Sequence, residues 1–69
     1  MKHHPLTPRE QEVLRLVWQG FTTRDIAKKL QRSFNTIAMH RRHILKKLGV
    51  TSTAQALVVA RERELIADG

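Results

Sequence analysis

With 69 residues, 13 Lys and Arg against 6 Asp and Glu, and a net charge of +7, the chain has room for one small domain with a thin core. It contains no cysteine, which excludes a disulfide framework and a cysteine-based zinc site as props for that core. No apolar run approaches a membrane span, and the basic excess points to a polyanion as partner, nucleic acid ahead of an anionic membrane surface.

The first five residues, polar and short, are expected to form a disordered N-terminal segment, with the folded domain running over 6–66. Thr7-Pro8-Arg9-Glu10 is a helix start: Thr as N-cap, Pro at the first helical position, and Glu three residues on to close a capping box. The first helix then extends to about Gln19, with Val13, Leu14, Leu16 and Val17 facing inward, and Gly20 ends it. Thr22 or Thr23 caps a short second helix carrying Ile26, Ala27 and Leu30, with Asp25 in the first turn where the helix dipole favours an anion. Gln31-Arg32-Ser33 makes a tight turn, and Ser33 caps a third, longer helix that Gly49 terminates. Ser52-Thr53-Ala54-Gln55 reads as another capping box, opening a fourth helix to about Arg63. The expected fold is all-α: four bundled helices, the second and third forming a helix-turn-helix.

The third helix carries two opposed stripes. Ile37, His40/Arg41, Ile44 and Leu48 share one face of a 3.6-residue period, whereas Asn35, Ala38, Met39, Arg42 and Lys46 share the other. Such a helix fits the DNA major groove, which displays hydrogen-bond acceptors and thymine methyl groups. Arg42 is placed to grip a guanine edge bidentately, and Ala38 and Met39 to cover thymine methyls. Asn35 and Thr36, in the first turn, suit phosphate contact or plain helix capping. Arg32 in the turn, with Lys46 and Lys47 at the far end, would touch the DNA backbone and make binding salt-sensitive. Arg9 and Arg24 are weaker candidates for the same role.

His40 and His43 lie three residues apart, but no third ligand is in register, so no metal site is expected. His40 is better suited to a local hydrogen bond or a phosphate. Nor does any nucleophile–base pair, glycine-rich phosphate loop or carboxylate pair appear, so the chain reads as neither an enzyme nor a cofactor protein.

The run Leu6-Thr7-Pro8-Arg9-Glu10-Gln11-Glu12-Val13-Leu14, with Gly20-Phe21-Thr22, Asp25-Ile26-Ala27, Leu30, Thr36-Ile37, His40, Ile44, Lys46-Lys47-Leu48-Gly49-Val50 and Gln55-Ala56-Leu57, resembles the LuxR/FixJ/NarL-type DNA-binding domain from about Leu6 to Ile66. The resemblance implies a four-helix domain of a bacterial, cytoplasmic transcription regulator, acting at the nucleoid with its third helix in the major groove. It places the base-reading positions on Ala38, Met39 and Arg42, and sets Thr36, His40 and Lys46 where the family approaches phosphates or buttresses the helix. It further implies pairing through the fourth helix on a dyad-related site, with RNA polymerase as a candidate partner. Five positions depart from the family: Trp18 replaces a small residue, Thr53 an arginine, Phe34-Asn35 a more polar pair, and Ala38 a Lys or Arg.

On the fourth helix Ala56, Leu57 and Ala60 can close the core, leaving Ala54, Val58 and Arg61 as an outward stripe suited to a homodimer interface. That stripe is small, so a weak dimer strengthened on DNA is expected. Two other readings remain open from the residues alone. One is a promoter-reading module similar to region 4 of bacterial sigma factors, which shares the Leu-Thr-Pro-Arg-Glu opening but fits His40 to Val50 less well. The other is an adaptor that binds an acidic protein through its basic face.

Overall fold

The structure is a computed structural model that describes residues 4–66. Among these residues lie four helices and no strand: α1 (Pro8–Trp18), α2 (Thr23–Leu30), α3 (Phe34–Leu48) and α4 (Thr53–Glu62). Of the segment expected to be disordered, residues 1–3 lie outside the described part. His4 and Pro5 lead directly into it, with the Leu6 N–H donating to His4 Nδ1 at 3.1 Å.

Each helix begins on a side-chain cap that satisfies otherwise orphaned N–H groups. At α1, Thr7 Oγ1 accepts from the Glu10 N–H (3.2 Å) while Glu10 Oε1 accepts from the Thr7 N–H (2.9 Å), closing the expected box. At α2 the cap is Thr22, and Asp25 does more than complement the dipole: it returns the bond to the Thr22 N–H, making a second full box. The box expected at α4 is only half made. Ser52 Oγ accepts from the Gln55 N–H, but Gln55 Oε1 reaches one residue further back, to the N–H and hydroxyl of Thr51.

The helix ends follow one pattern. After α1 the Phe21 N–H bonds Leu16 O and the Gly20 N–H bonds Val17 O, with Gly20 at φ 97°. Gly49 repeats the arrangement after α3 at φ 71°. At the α2 end, however, the left-handed position is held by Gln31 (φ 55°), a residue with a Cβ that this region disfavours by about 1 kcal/mol. The turn of the helix-turn-helix is thus mildly strained, and the surrounding packing holds it.

α3 packs against all three other helices, and α1 also touches α2. Leu6, Val13, Leu14, Leu16, Ile26, Ala27, Ile37, Ile44, Leu48, Ala56 and Ala60 form the buried cluster. Val17, Leu30 and Leu57, named with the inward-facing residues, are half-buried and pack at its margin. A 69-residue chain has too little interior to enclose every apolar side chain.

Candidate nucleic-acid interface

α3 is 15 residues long, roughly 22 Å at the helical rise, and carries no Asp or Glu. Its inner face is set by Ile37, Ile44 and Leu48, all buried. On the outer face Asn35, Met39, Arg42 and Lys46 are exposed, and Ala38 is half-buried beside them. Met39 is 40% exposed, although a flexible side chain of its length could have filled a gap in a small core. Arg32 stands exposed in the turn before the helix. The structure therefore brings Ala38, Met39, Arg42, Asn35 and Lys46 onto one surface, with Arg32 near its N-terminal end.

The other expected contact residues are placed differently. Thr36 is half-buried, its N–H donating to Ser33 Oγ at 3.1 Å and its hydroxyl 2.8 Å from the same oxygen, so it serves the helix cap. His40 is half-buried at the border between the two faces. Lys47 turns toward α1, where its Nζ lies 2.8 Å from Glu10 Oε1. His43, which sequence reasoning considered only as a metal ligand, is exposed next to Met39 and Lys46 on the helical surface. Among the described residues, no group of three His, Cys, Asp or Glu comes together as a metal site.

Two polar links clamp this helix to the rest of the domain, and neither was read from the sequence. Arg41 donates through Nη1 to Thr23 Oγ1 (2.9 Å) and through Nη2 to Thr53 Oγ1 (3.0 Å), joining the middle of α3 to the first residues of α2 and α4. Thr53, where the family resemblance led us to note a missing arginine, thus has a structural role as acceptor. The available signal was a guanidinium on the same face as Ile37, Ile44 and Leu48, since a charge placed there must find partners.

The second link is Glu10–Lys47. Glu10 is 3% exposed, the one buried charged residue among those described. Burial, the largest influence, pushes its carboxyl up. The hydrogen bond from Lys47, the Thr7 N–H, the Lys47 charge and the Thr7 hydroxyl together outweigh it and hold the group below the usual carboxylate range. A depressed folded-state value means that the stabilisation is present above the ordinary glutamate value of about 4.5 and disappears as pH falls through the lower folded value. Glu10→Gln is therefore expected to melt below the wild-type protein at neutral pH, with the gap closing on acidification. Melting curves from pH 7 to pH 3 check this, and a gap that stays constant would contradict it.

Trp18 of α1 is half-buried and lines a groove with Leu57, Val58, Arg61 and Glu62 of α4. Val58 is 57% exposed, and Ala54 and Arg61 are exposed on the same helix, as the stripe requires. Among the described residues no helix is long and apolar enough to cross a membrane.

Comparison with known proteins agrees with this architecture. The family model for bacterial regulatory proteins of the luxR family matches residues 4–60. The nitrate/nitrite response regulator protein NarL of Escherichia coli strain K12 is 41% identical over 77% of this chain, and the transcriptional regulatory protein MctR of Rhizobium johnstonii is 37% identical over 90% of it. The chain spans only 24% of NarL and 29% of MctR. Among solved structures, the transcription factor GerE superposes with a TM-score of 0.89 at 29% identity, covering 94% of this chain and 97% of GerE. A match over most of the chain, on a four-helix fold shared with GerE, makes this protein a member of the luxR family of bacterial regulatory proteins, whose helix-turn-helix domain binds DNA in transcription regulators.

Proposed function

We propose that this domain, residues 6–66, binds double-stranded DNA sequence-selectively in the bacterial cytoplasm by laying α3 in the major groove, as the reading part of a transcription regulator. The observation that carries this is the acid-free outer face of α3, where Met39, Arg42 and Lys46 are exposed opposite a buried Ile37–Ile44–Leu48 seam. The groove is about 12 Å wide and admits one helix, and the seam holds α3 rigid enough to be offered to it. Arg42 takes a guanine edge, and Ala38 and Met39 lie against neighbouring bases. Arg32, Asn35, His40 and Lys46 contact the phosphate backbone, with Thr36 presenting the capped first turn. Lys47, its charge already matched by Glu10, adds least.

Selection of sites from random duplexes, followed by titration at several salt concentrations, tests the reading. A defined consensus is expected, with affinity for it falling steeply as salt rises. Equal binding to all sequences, or binding insensitive to salt, would instead favour an adaptor for an acidic protein.

Two copies pair through Ala54, Val58 and Arg61 of α4, weakly in solution and firmly on a site with two half-sites about one DNA turn, roughly 34 Å, apart. The exposed Val58 and the adjacent Trp18 groove supply an apolar centre for that contact. Val58→Glu places two like charges near the twofold axis. It is expected to halve the footprint on DNA while leaving the melting temperature of the domain unchanged. A full-length footprint would contradict pairing through this helix. RNA polymerase remains a candidate partner of the assembled regulator.

A further inference from the structure

Phe34, Met39 and Val58 are the exposed large apolar side chains among the described residues. The proposed base-reading and pairing surfaces account for Met39 and Val58, but nothing so far accounts for Phe34. It is the first residue of α3 and stands 53% exposed. Its backbone is fixed, because Ser33 caps the helix through the Thr36 N–H and its oxygen also lies within hydrogen-bond distance of the Thr36 hydroxyl. Ala38 and Arg42 follow four and eight residues later, so Phe34, Ala38 and Arg42 form one ridge along the helix, with Met39 further round its outer face. Phe34 heads that ridge, and the exposed Arg32 stands in the turn just before it.

An exposed phenyl ring in that position recognises neither phosphate nor a guanine edge, since it has no hydrogen-bond donor. The apolar group that B-DNA offers to a helix in the major groove is the thymine 5-methyl, and residues at the N-terminal end of a reading helix are the ones that reach base edges. Arg32, just before the helix, would hold a phosphate beside such a contact, while Arg42 takes its guanine edge.

We propose that Phe34, at the head of the ridge it forms with Ala38 and Arg42, recognises a thymine 5-methyl group, adding a thymine preference at a position of each half-site that Met39 does not reach. This rests on the reading of α3 as the major-groove element.

The test uses the selected duplex and the intact chain. Each thymine is replaced singly by deoxyuridine, which removes the 5-methyl and leaves every hydrogen-bonding group in place. Binding is measured for the wild-type protein, Phe34→Ser and Phe34→Leu. At one thymine at least, uracil is expected to weaken wild-type binding by about fourfold, the effect of burying one methyl group. That penalty should vanish in Phe34→Ser and return in part with Phe34→Leu, and the selected consensus of Phe34→Ser should lose its preference for thymine at the same position. Cytosine replaced there by 5-methylcytosine should regain part of the affinity, because the methyl group and not the thymine carbonyl is what the ring meets. Tight, selective binding that is indifferent to uracil, or uracil penalties that persist unchanged in Phe34→Ser, would overturn this inference alone. Failure to select any consensus would overturn it together with the proposed function.

Discussion

Arg42→Ala is expected to strip the domain of a base preference without loosening its fold. Arg42 is exposed on α3, has no part in the buried cluster, and lies one turn beyond Ala38 and Met39 on the outer face. A bidentate arginine–guanine pair discriminates by about 1–3 kcal/mol, or roughly 5- to 150-fold between the right and the wrong base. The loss should therefore appear on the selected site and be almost absent on random duplex. Lys46→Ala is the informative comparison. A phosphate contact carries no sequence information, so both kinds of duplex should weaken together, with the slope of log affinity against log salt falling by about 0.9. Parallel competition titrations with both variants check the division of labour. Equal losses on specific and random DNA for Arg42→Ala would refute its role as a reader.

Ile37→Ala is the counterpart on the opposite face of the same helix. Ile37 is fully buried, against neighbours from the other helices, and isoleucine-to-alanine truncations in cores cost about 2–5 kcal/mol. A chain of 69 residues has a total stability of roughly 3–10 kcal/mol, so this single change removes a large share of it or all of it. Chemical denaturation should show the midpoint collapsing. Ile37→Val, expected to cost only about 0.5–1.5 kcal/mol, keeps the domain folded so that binding can be measured. Its base preference should match the wild type. A changed consensus in folded Ile37→Val would mean that the inner face also reads DNA, contrary to the separation of faces argued above.

What the sequence revealed and what it hid divide along the distance between partners. Thr7 with Glu10, Ser33 with Thr36 and Ser52 with Gln55 lie three residues apart, so a local rule suffices to find them. The two stripes of α3 were visible for the same reason, since helical periodicity is itself local. Arg41 and Lys47 were assigned incompletely because their partners lie 12, 18 and 37 residues away. The sequence reads Lys47 as a DNA-backbone contact at the end of a basic helix, and only the folded chain brings it to Glu10. Glu10 was understood as half of a capping box, and its burial beneath α3 was out of reach of any spacing argument. Gln31 is an intermediate case. Its turn was foreseen, but the left-handed backbone it adopts is one that sequence reasoning assigns to glycine or asparagine. Gln55 differs in a smaller way, since a capping-box pattern does not say which of two neighbouring N–H groups the side chain will choose.

The links that escaped the sequence serve the site indirectly. Arg41 fastens the centre of α3 to the starts of α2 and α4, and Lys47 fastens its end to the start of α1. Fastened at its middle and its far end, over a buried aliphatic seam, α3 offers its outer face with little freedom to roll. Under the proposed function, a tilt of that helix would alter which side chains reach base edges, so these clamps would bear on selectivity although neither need touch DNA.

Side-chain magnetic resonance on adding a selected duplex tests the central claim most directly. The Met39 methyl and the Arg42 guanidinium N–H are expected to show the largest changes, with the Ile37, Ile44 and Leu48 methyls nearly still. Changes gathered around Trp18 and Val58, with Met39 and Arg42 unmoved, would contradict the account.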